Sequence, residues 1–155
     1  FDVQMRMLRA DQFADLRTWG ILTNMEFRDV GVAPPARLTA TASVANALLG
    51  VKCVVEGTVE NSVLSPGVYV GPGAVVRNSI LMHDCVVAQG AQLEYVVSDR
   101  DTYFGAHCRV GNAGSHNRQP SGIGPLTLVG KAAHIGDGVV ISQGREVDHR
   151  AHITA

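Results

Sequence analysis

Aliphatic residues recur at every fifth or sixth position through most of the chain from Leu38 to Ile141. Set out in rows of 17 residues, Val70, Val87 and Phe104 share one column. Val59, Val76, Leu93 and Val110 share a second, and Leu64, Leu81 and Ser98 a third. Within a row the steps are six, five and six. Leu38, Val44, Leu49 and Val55 carry the pattern upstream, with one shortened step from Val55 to Val59. Val129, Ile135 and Ile141 resume it downstream, in "VGKAAHIGDGVVI". An aliphatic residue at every sixth position, often followed by Gly, is a hexapeptide repeat. Three hexads make one triangular coil, each side a short strand paired in parallel with the coils above and below. About six coils at ~4.8 Å each predict an all-β parallel helix, a prism of about 25–30 Å. Like side chains then stack on like and fill a narrow core.

The polar positions mark the corners. Pro66-Gly67, Pro72-Gly73, Gly90 and Gly105 stand where the chain must bend, with Gly supplying positive φ and Pro presetting the turn. Asn46, Asn61 and Asn78 occupy one corner in successive coils. Asn tolerates the left-handed region and can hydrogen-bond to its stacked copy. The recurring "NS" of "NSVL" and "NSIL" is therefore a corner ladder and implies no serine nucleophile. Beside the inward column Leu49, Leu64, Leu81 runs a second apolar column, Leu48, Val63, Ile80 and Val97. Strand side chains alternate faces, so if one column points in its neighbour points out. Either the corner turns both columns inward, or the outer stripe packs on another subunit or domain, since contiguous exposed apolar surface marks an interface.

Outside the repeat, residues 5–17 read as a short helix with Met7, Leu8, Phe13 and Leu16 as its apolar residues and Asp11 as a cap. "APPARL" at 33–38 reads as an extended linker, because Pro34-Pro35 forbids helix. The expected organisation is a lead-in and linker over 1–37 and the β-helix over 38–155. A polar loop, "GNAGSHNRQPSGIGP", interrupts the coils at 111–125, and such loops often carry binding residues.

Composition narrows the function. Of 155 residues, 46% are hydrophobic but only 5% aromatic, which suits a core of Val, Leu and Ala. A net charge of −1 lacks the basic surplus of a nucleic-acid or acidic-membrane binder. No apolar run reaches the roughly 18 residues that would span a membrane. No signal-peptide pattern is present, and Phe1 in first place points to a segment of a longer protein. Cys53, Cys85 and Cys108 lack CxxC spacing and read as free thiols of a reducing cytoplasm.

"VVEGTVENSVL", "GVYVGPGAVVRNSILM" and "EYVVSDRD" resemble the C-terminal left-handed β-helix domain of glucose-1-phosphate adenylyltransferases, nearest to the regulatory-subunit type of bacterial glycogen synthesis. The "LRADQF … PPARL" lead-in resembles that family's connection from catalytic domain to β-helix. The resemblance fades through the 111–125 loop and resumes at "TLVGKAAHIGDG". It implies a left-handed coil and a parent reaction in which ATP and glucose 1-phosphate give ADP-glucose and pyrophosphate. It further implies Mg²⁺ in a separate N-terminal catalytic domain, and no cofactor or catalytic residue in this segment, where no GxGxxG or P-loop pattern occurs. The implied partners are that catalytic domain, other pyrophosphorylase subunits in a homo- or hetero-tetramer, and sugar-phosphate or pyruvate-type effectors.

Arg109, Arg118 and Lys131 are the candidates for an anionic effector, since Arg meets phosphate bidentately, Arg118 lies in the loop, and Arg109 and Lys131 lie on either side of it. Arg118 is the one expected to contribute in the intact subunit. The histidines are His83 near a corner, His107 on a coil side, His116 in the loop, His134 in the last coil, and His149 and His152 in the tail. They read as surface residues, because no third ligand accompanies His149 and His152 at a fixed offset. Two other β-helix classes compete with this reading: a free-standing hexapeptide acyltransferase with active sites between the prisms of a trimer, and a zinc-dependent carbonic anhydrase.

Overall fold

The computed structural model describes residues 1–8, 33–111 and 125–155. Among these residues one helix, α1 (Asp2–Arg6), precedes a series of short strands. β1 (Arg37–Leu38) and the bent, seven-residue β2 (Ser43–Leu49) make the first coil. β3 (Val54–Val55) and the equally long β4 (Thr58–Leu64) make the second. The third coil has three separate strands, β5 (Tyr69–Val70), β6 (Val75–Arg77) and β7 (Ile80–Leu81). The fourth has β8 (Val86–Val87), β9 (Gln92–Glu94) and β10 (Val96–Ser98). The fifth has β11 (Tyr103–Phe104), β12 (Arg109–Gly111) and β13 (Thr127–Val129). The sixth has β14 (His134–Ile135), β15 (Val140–Ser142) and β16 (Glu146–Val147), and β17 (His152–Ile153) starts another rung.

Every strand pairs in parallel with its counterpart one coil away. The first half of β2 and of β4, then β6, β9, β12 and β15, form the first face. The second half of β2 and of β4, then β7, β10, β13 and β16, form the second. β1, β3, β5, β8, β11, β14 and β17 form the third. The bent β2 and β4 make the first two faces one continuous sheet. This is a three-sided β-solenoid of about six coils. The expected helix over 5–17 begins earlier than its pattern, at Asp2, and residues 9–17 lie outside the described residues. The linker also ends earlier, because Arg37 and Leu38 already pair with Val54 and Val55.

The core is the stack of inward columns. Val55, Val70, Val87, Phe104 and Ile135 are fully buried on the third face, as are Val59, Val76, Leu93 and Val110 on the first. Each burial contributes on the order of 1.5–3 kcal/mol. At the open first coil the same columns are only partly covered: Leu38 is 51% exposed. The shortened step from Val55 to Val59 has a steric condition. Gly57 lies where a Cβ would collide with the carbonyl oxygens of Ala74 and Gly71, so only glycine lets the chain cut that corner.

The three corners are built differently. Between the third and first faces the left-handed position is held by Gly73, Gly90, His107 and Gly138. His107 is therefore a corner residue with φ 57°, where the periodicity placed it on a coil side. Gly105 lacks a positive φ and is buried just after Phe104. Between the second and third faces the position passes through Lys52, Gly67, Asp84, Asp101, Ala132 and Arg150. Between the first and second faces, Asn46, Asn61, Asn78 and Tyr95 take it with φ of 50°, 46°, 48° and 57°.

That last corner is the five-residue step, and it explains the serine of "NS". Ser62 and Ser79 point inward and are fully buried. Ser62 Oγ donates to the Glu60 carbonyl at 2.7 Å and accepts the Ser79 backbone N–H at 3.1 Å. Ser79 Oγ repeats this one coil on, donating to the Arg77 carbonyl at 2.6 Å and accepting the Val96 N–H at 3.1 Å. The side-chain amide of Asn46 donates to Asn61 Oδ1 at 2.7 Å. The asparagine turns the chain and the serine satisfies a backbone group that the tight corner would otherwise bury unpaired.

Ser79→Ala should thus cost about 1–3 kcal/mol, the penalty of a buried unsatisfied N–H. Asn78→Gly should cost only a few tenths, since glycine accepts positive φ. Denaturant unfolding of both variants checks this, and equal losses would refute the assigned roles.

Candidate functional site

The second face carries the feature with most functional content. Leu64, Leu81 and Ser98 face inward and are buried. One residue before each, the outward column runs in register through Leu48, Val63, Ile80, Val97, Leu128 and Glu146. Leu48, Val63 and Val97 are half-buried and Leu128 is 42% exposed. Ile80 departs from the others: it is 1% exposed, yet it is not part of the inner core cluster. Its flanking residues Ser79 and Leu81 point inward, so Ile80 is covered from outside the prism. α1 packs against β4, the strand that bends from the first face to the second. Leu128 extends the stripe beyond Val97. The period could not show this, because the 111–125 insertion breaks the 17-residue row between them.

The two described cationic candidates, Arg109 and Lys131, do not come together. Arg109 is exposed on the first face, between Gln92 and Val140. Lys131 lies at the corner between the second and third faces, which is the edge opposite the first face. There the backbone bonds stack His83, Arg100, Lys131 and His149 in one corner column: Asp101 N donates to His83 O, Ala132 N to Arg100 O, and Arg150 N to Lys131 O. Arg118 lies outside the described residues. Arg77 is committed to Glu60, Nε to Oε2 at 2.7 Å.

The histidines separate as well. His149 sits in the corner column, whereas His152 is on the third face. There Tyr103, His134 and His152 stack in register, with ring centroids 4.7 and 5.4 Å apart. Only knowledge of the register across the loop brings these rings together. Among the described residues no three His, Cys, Asp or Glu side chains converge as metal ligands. Among those residues, too, no helix is long and apolar enough to cross a membrane.

The three cysteines are free and fully buried in the inward columns. Cys53 Sγ donates to the Ser65 carbonyl at 3.2 Å and Cys85 Sγ to the Asp99 carbonyl at 3.1 Å. Burial pushes all three thiols up. For Cys108, burial together with the nearby Asp137 carboxylate pushes it up to about 12. These are core residues with little thiolate character.

Over residues 34–125 the sequence matches the family described as GlmU-like, C-terminal hexapeptide. The glucose-1-phosphate adenylyltransferase of Desulfitobacterium hafniense (strain DSM 10664 / DCB-2) is 32% identical over 139 residues, covering 90% of this chain and 33% of that protein. The enzyme of the same name from Acetivibrio thermocellus is 33% identical over 130 residues, covering 80% of this chain and 29% of that protein. The chain spans about a third of the length of these curated relatives. Among solved structures, the acetyltransferase domain of PglB from Neisseria gonorrhoeae FA1090 in complex with acetyl coenzyme A is 22% identical, with a TM-score of 0.36. It covers 78% of this chain and 58% of that one, a likeness too loose to bear on activity.

The thiols give a pH prediction. A raised thiol pKa favours the native state only while the unfolded thiol, near 9.0, stays protonated. Stability should be constant below that value and fall as pH rises from 9 toward about 12. Cys108→Ala should flatten this fall in denaturant titrations. Native thiols should resist alkylation at pH 8, and rapid alkylation without unfolding would contradict their placement.

Proposed function

The chain belongs to the GlmU-like C-terminal hexapeptide family, and on that basis we propose that it is the assembly and regulatory domain of a glucose-1-phosphate adenylyltransferase subunit. The observation that carries this is the breadth of the match. Adenylyltransferases align across 90% of this chain but a third of their own length, the extent of one domain in a larger enzyme. The parent reaction, joining ATP and glucose 1-phosphate to form ADP-glucose and pyrophosphate in glycogen synthesis, would then belong to another domain, with Mg²⁺ held there.

The role of this domain is mechanical. A stacked prism is stiff along its axis and presents straight columns of side chains. Of the expected stripe Leu48, Val63, Ile80 and Val97, Ile80 is already sealed within the chain, and Leu48, Val63 and Val97 are the part of the second face through which it packs on a subunit or on the catalytic domain. Leaving such a stripe in water is unfavourable, and burying it supplies the driving force for assembly. Regulation by a sugar-phosphate or pyruvate-type effector requires cations near an interface. Lys131, stacked with Arg100 at the edge of the second face, meets that condition better than Arg109 on the first face. Arg118 remains the loop's contribution to the same effector.

The test uses the full-length protein that carries this segment. Val97 is a better target than Ile80, because a charge at the sealed Ile80 would be buried. Val97→Glu should weaken subunit association by about tenfold or more in sedimentation velocity, with the circular dichroism of the prism unchanged. Lys131→Ala should reduce the response of ADP-glucose synthesis to the effector more than Arg109→Ala does. An unaltered oligomer and an unaltered effector response would overturn the reading, as would tight acyl-CoA binding by the chain.

A further inference from the structure

The outward positions of the third face sort into a high column and a low one. The high column runs in register through Val54, Tyr69, Val86, Tyr103 and His134. All five are half-buried, and the Tyr103 and His134 rings stack, which stiffens the ridge. Two residues further along each strand the low column runs through Glu56, Gly71, Ala88, Gly105 and Gly136. Their N–H groups donate to the carbonyls of Val70, Val87, Phe104, Ile135 and Ile153. Beyond Glu56 this column is nearly bare backbone. A Cβ at Gly105 would lie 2.5 Å from the Gly136 carbonyl carbon, so the coil itself keeps the trough empty there. Ridge and trough thus lie side by side over five coils, about 24 Å. The ridge is on the side of the second face and the trough on the side of the first.

We infer that two copies of this chain pack third face on third face, about a two-fold axis parallel to the prism axis. That rotation lays the ridge side of each copy over the trough side of the other at the same coil. Each ridge then fills the other's trough, a self-complementary contact of the isologous kind. A two-fold axis across the prism would instead set ridge against ridge. The charges at the two edges favour the same arrangement. Lys52, at the ridge-side edge of the second coil, comes opposite Glu56 of the partner subunit. Lys131, at that edge of the sixth coil, comes opposite the partner's Asp137. Within each copy Asp137 is held in place, its Oδ1 accepting the Ala106 N–H at 2.7 Å. Between these levels Arg100 and Asp101 lie 3.9 Å apart and compensate each other. Burial of the ridge supplies the affinity, and the edge charges set the orientation. An anionic effector at Lys131 would then act at a junction between copies. The inference does not rest on the second-face reading, since a prism can use both faces at once.

A face of this length is smaller than a free-standing dimer needs, so the test uses the full-length protein that carries this segment. Two chains are co-expressed, one with Val86→Cys and the other with Ala88→Cys. Mild oxidation should join them at least tenfold more often than a Val140→Cys and Ser142→Cys pair on the exposed first face. The native thiols are buried and stay out of the reaction. Linkage of the third-face pair no better than that of the first-face pair overturns the inference, including the case in which another domain covers this face. Val86→Cys expressed alone should link poorly with itself, because ridge meets trough. Efficient self-linkage would show ridge on ridge and also overturn it. Ala88→Glu fills the trough in a column that already carries Glu56, so the coil should stay folded by circular dichroism. It should weaken association in sedimentation about tenfold or more. If it unfolds, Val86→Ser replaces it, with a loss in the same direction expected. Unchanged association of the folded variant overturns the inference. Val97→Glu reports separately on the second face, so the two readings can fail independently.

Discussion

The parallel backbone ladder ties each coil to its neighbours residue for residue, and the rest of the structure follows from that registry. A strand of two or three residues has too few hydrogen bonds to persist alone. Stacked in register, each donates to the coil on one side and accepts from the other, and each inward side chain rests on its equivalents. A misplaced residue would shift the columns of every later coil. The chain therefore tolerates only local departures that restore the count: the cut corner at Gly57, the five-residue corner, and an insertion between β12 and β13 that returns to register at Thr127.

The corners show how sequence meets this constraint. Among the described residues ten non-glycine residues adopt positive φ, and all ten stand in one of the three corner columns. Where the step is six residues, glycine or a strained residue suffices, because the coils still match group for group. Where it is five, a backbone N–H faces into the prism with no carbonyl opposite, and a serine hydroxyl takes that place. The "NS" pair is a single device with two jobs, and its stacking on the next pair explains its return after 17 residues.

What could be read from the sequence was what the period controls. Val70, Val87 and Phe104 fall into one column by counting alone, and so do the corner asparagines and the alternation of Leu48 against Leu49. The hidden features depend on registry across the 111–125 insertion or on what lies outside the prism. Leu128 and Glu146 join the outer column only once the coil after the insertion is aligned. The same holds for the stacked Tyr103, His134 and His152. The sealing of Ile80 comes from outside the coil, so its own repeat carries no trace of it. Arg109 and Lys131 are near the loop in sequence but stand on opposite sides of a three-sided prism. Proximity along a solenoid chain says little about proximity around it.

If the prism is an assembly domain as proposed, the outward column of the second face is covered in the assembled protein. Carbene footprinting of the full-length protein, read by mass spectrometry, tests it most directly. Val140, 69% exposed on the first face, serves as the internal reference. Leu48, Val63 and Val97 should be labelled far less than their exposure in the isolated prism would give, while Val140 is labelled in full. Labelling of all four in proportion to that exposure would contradict it.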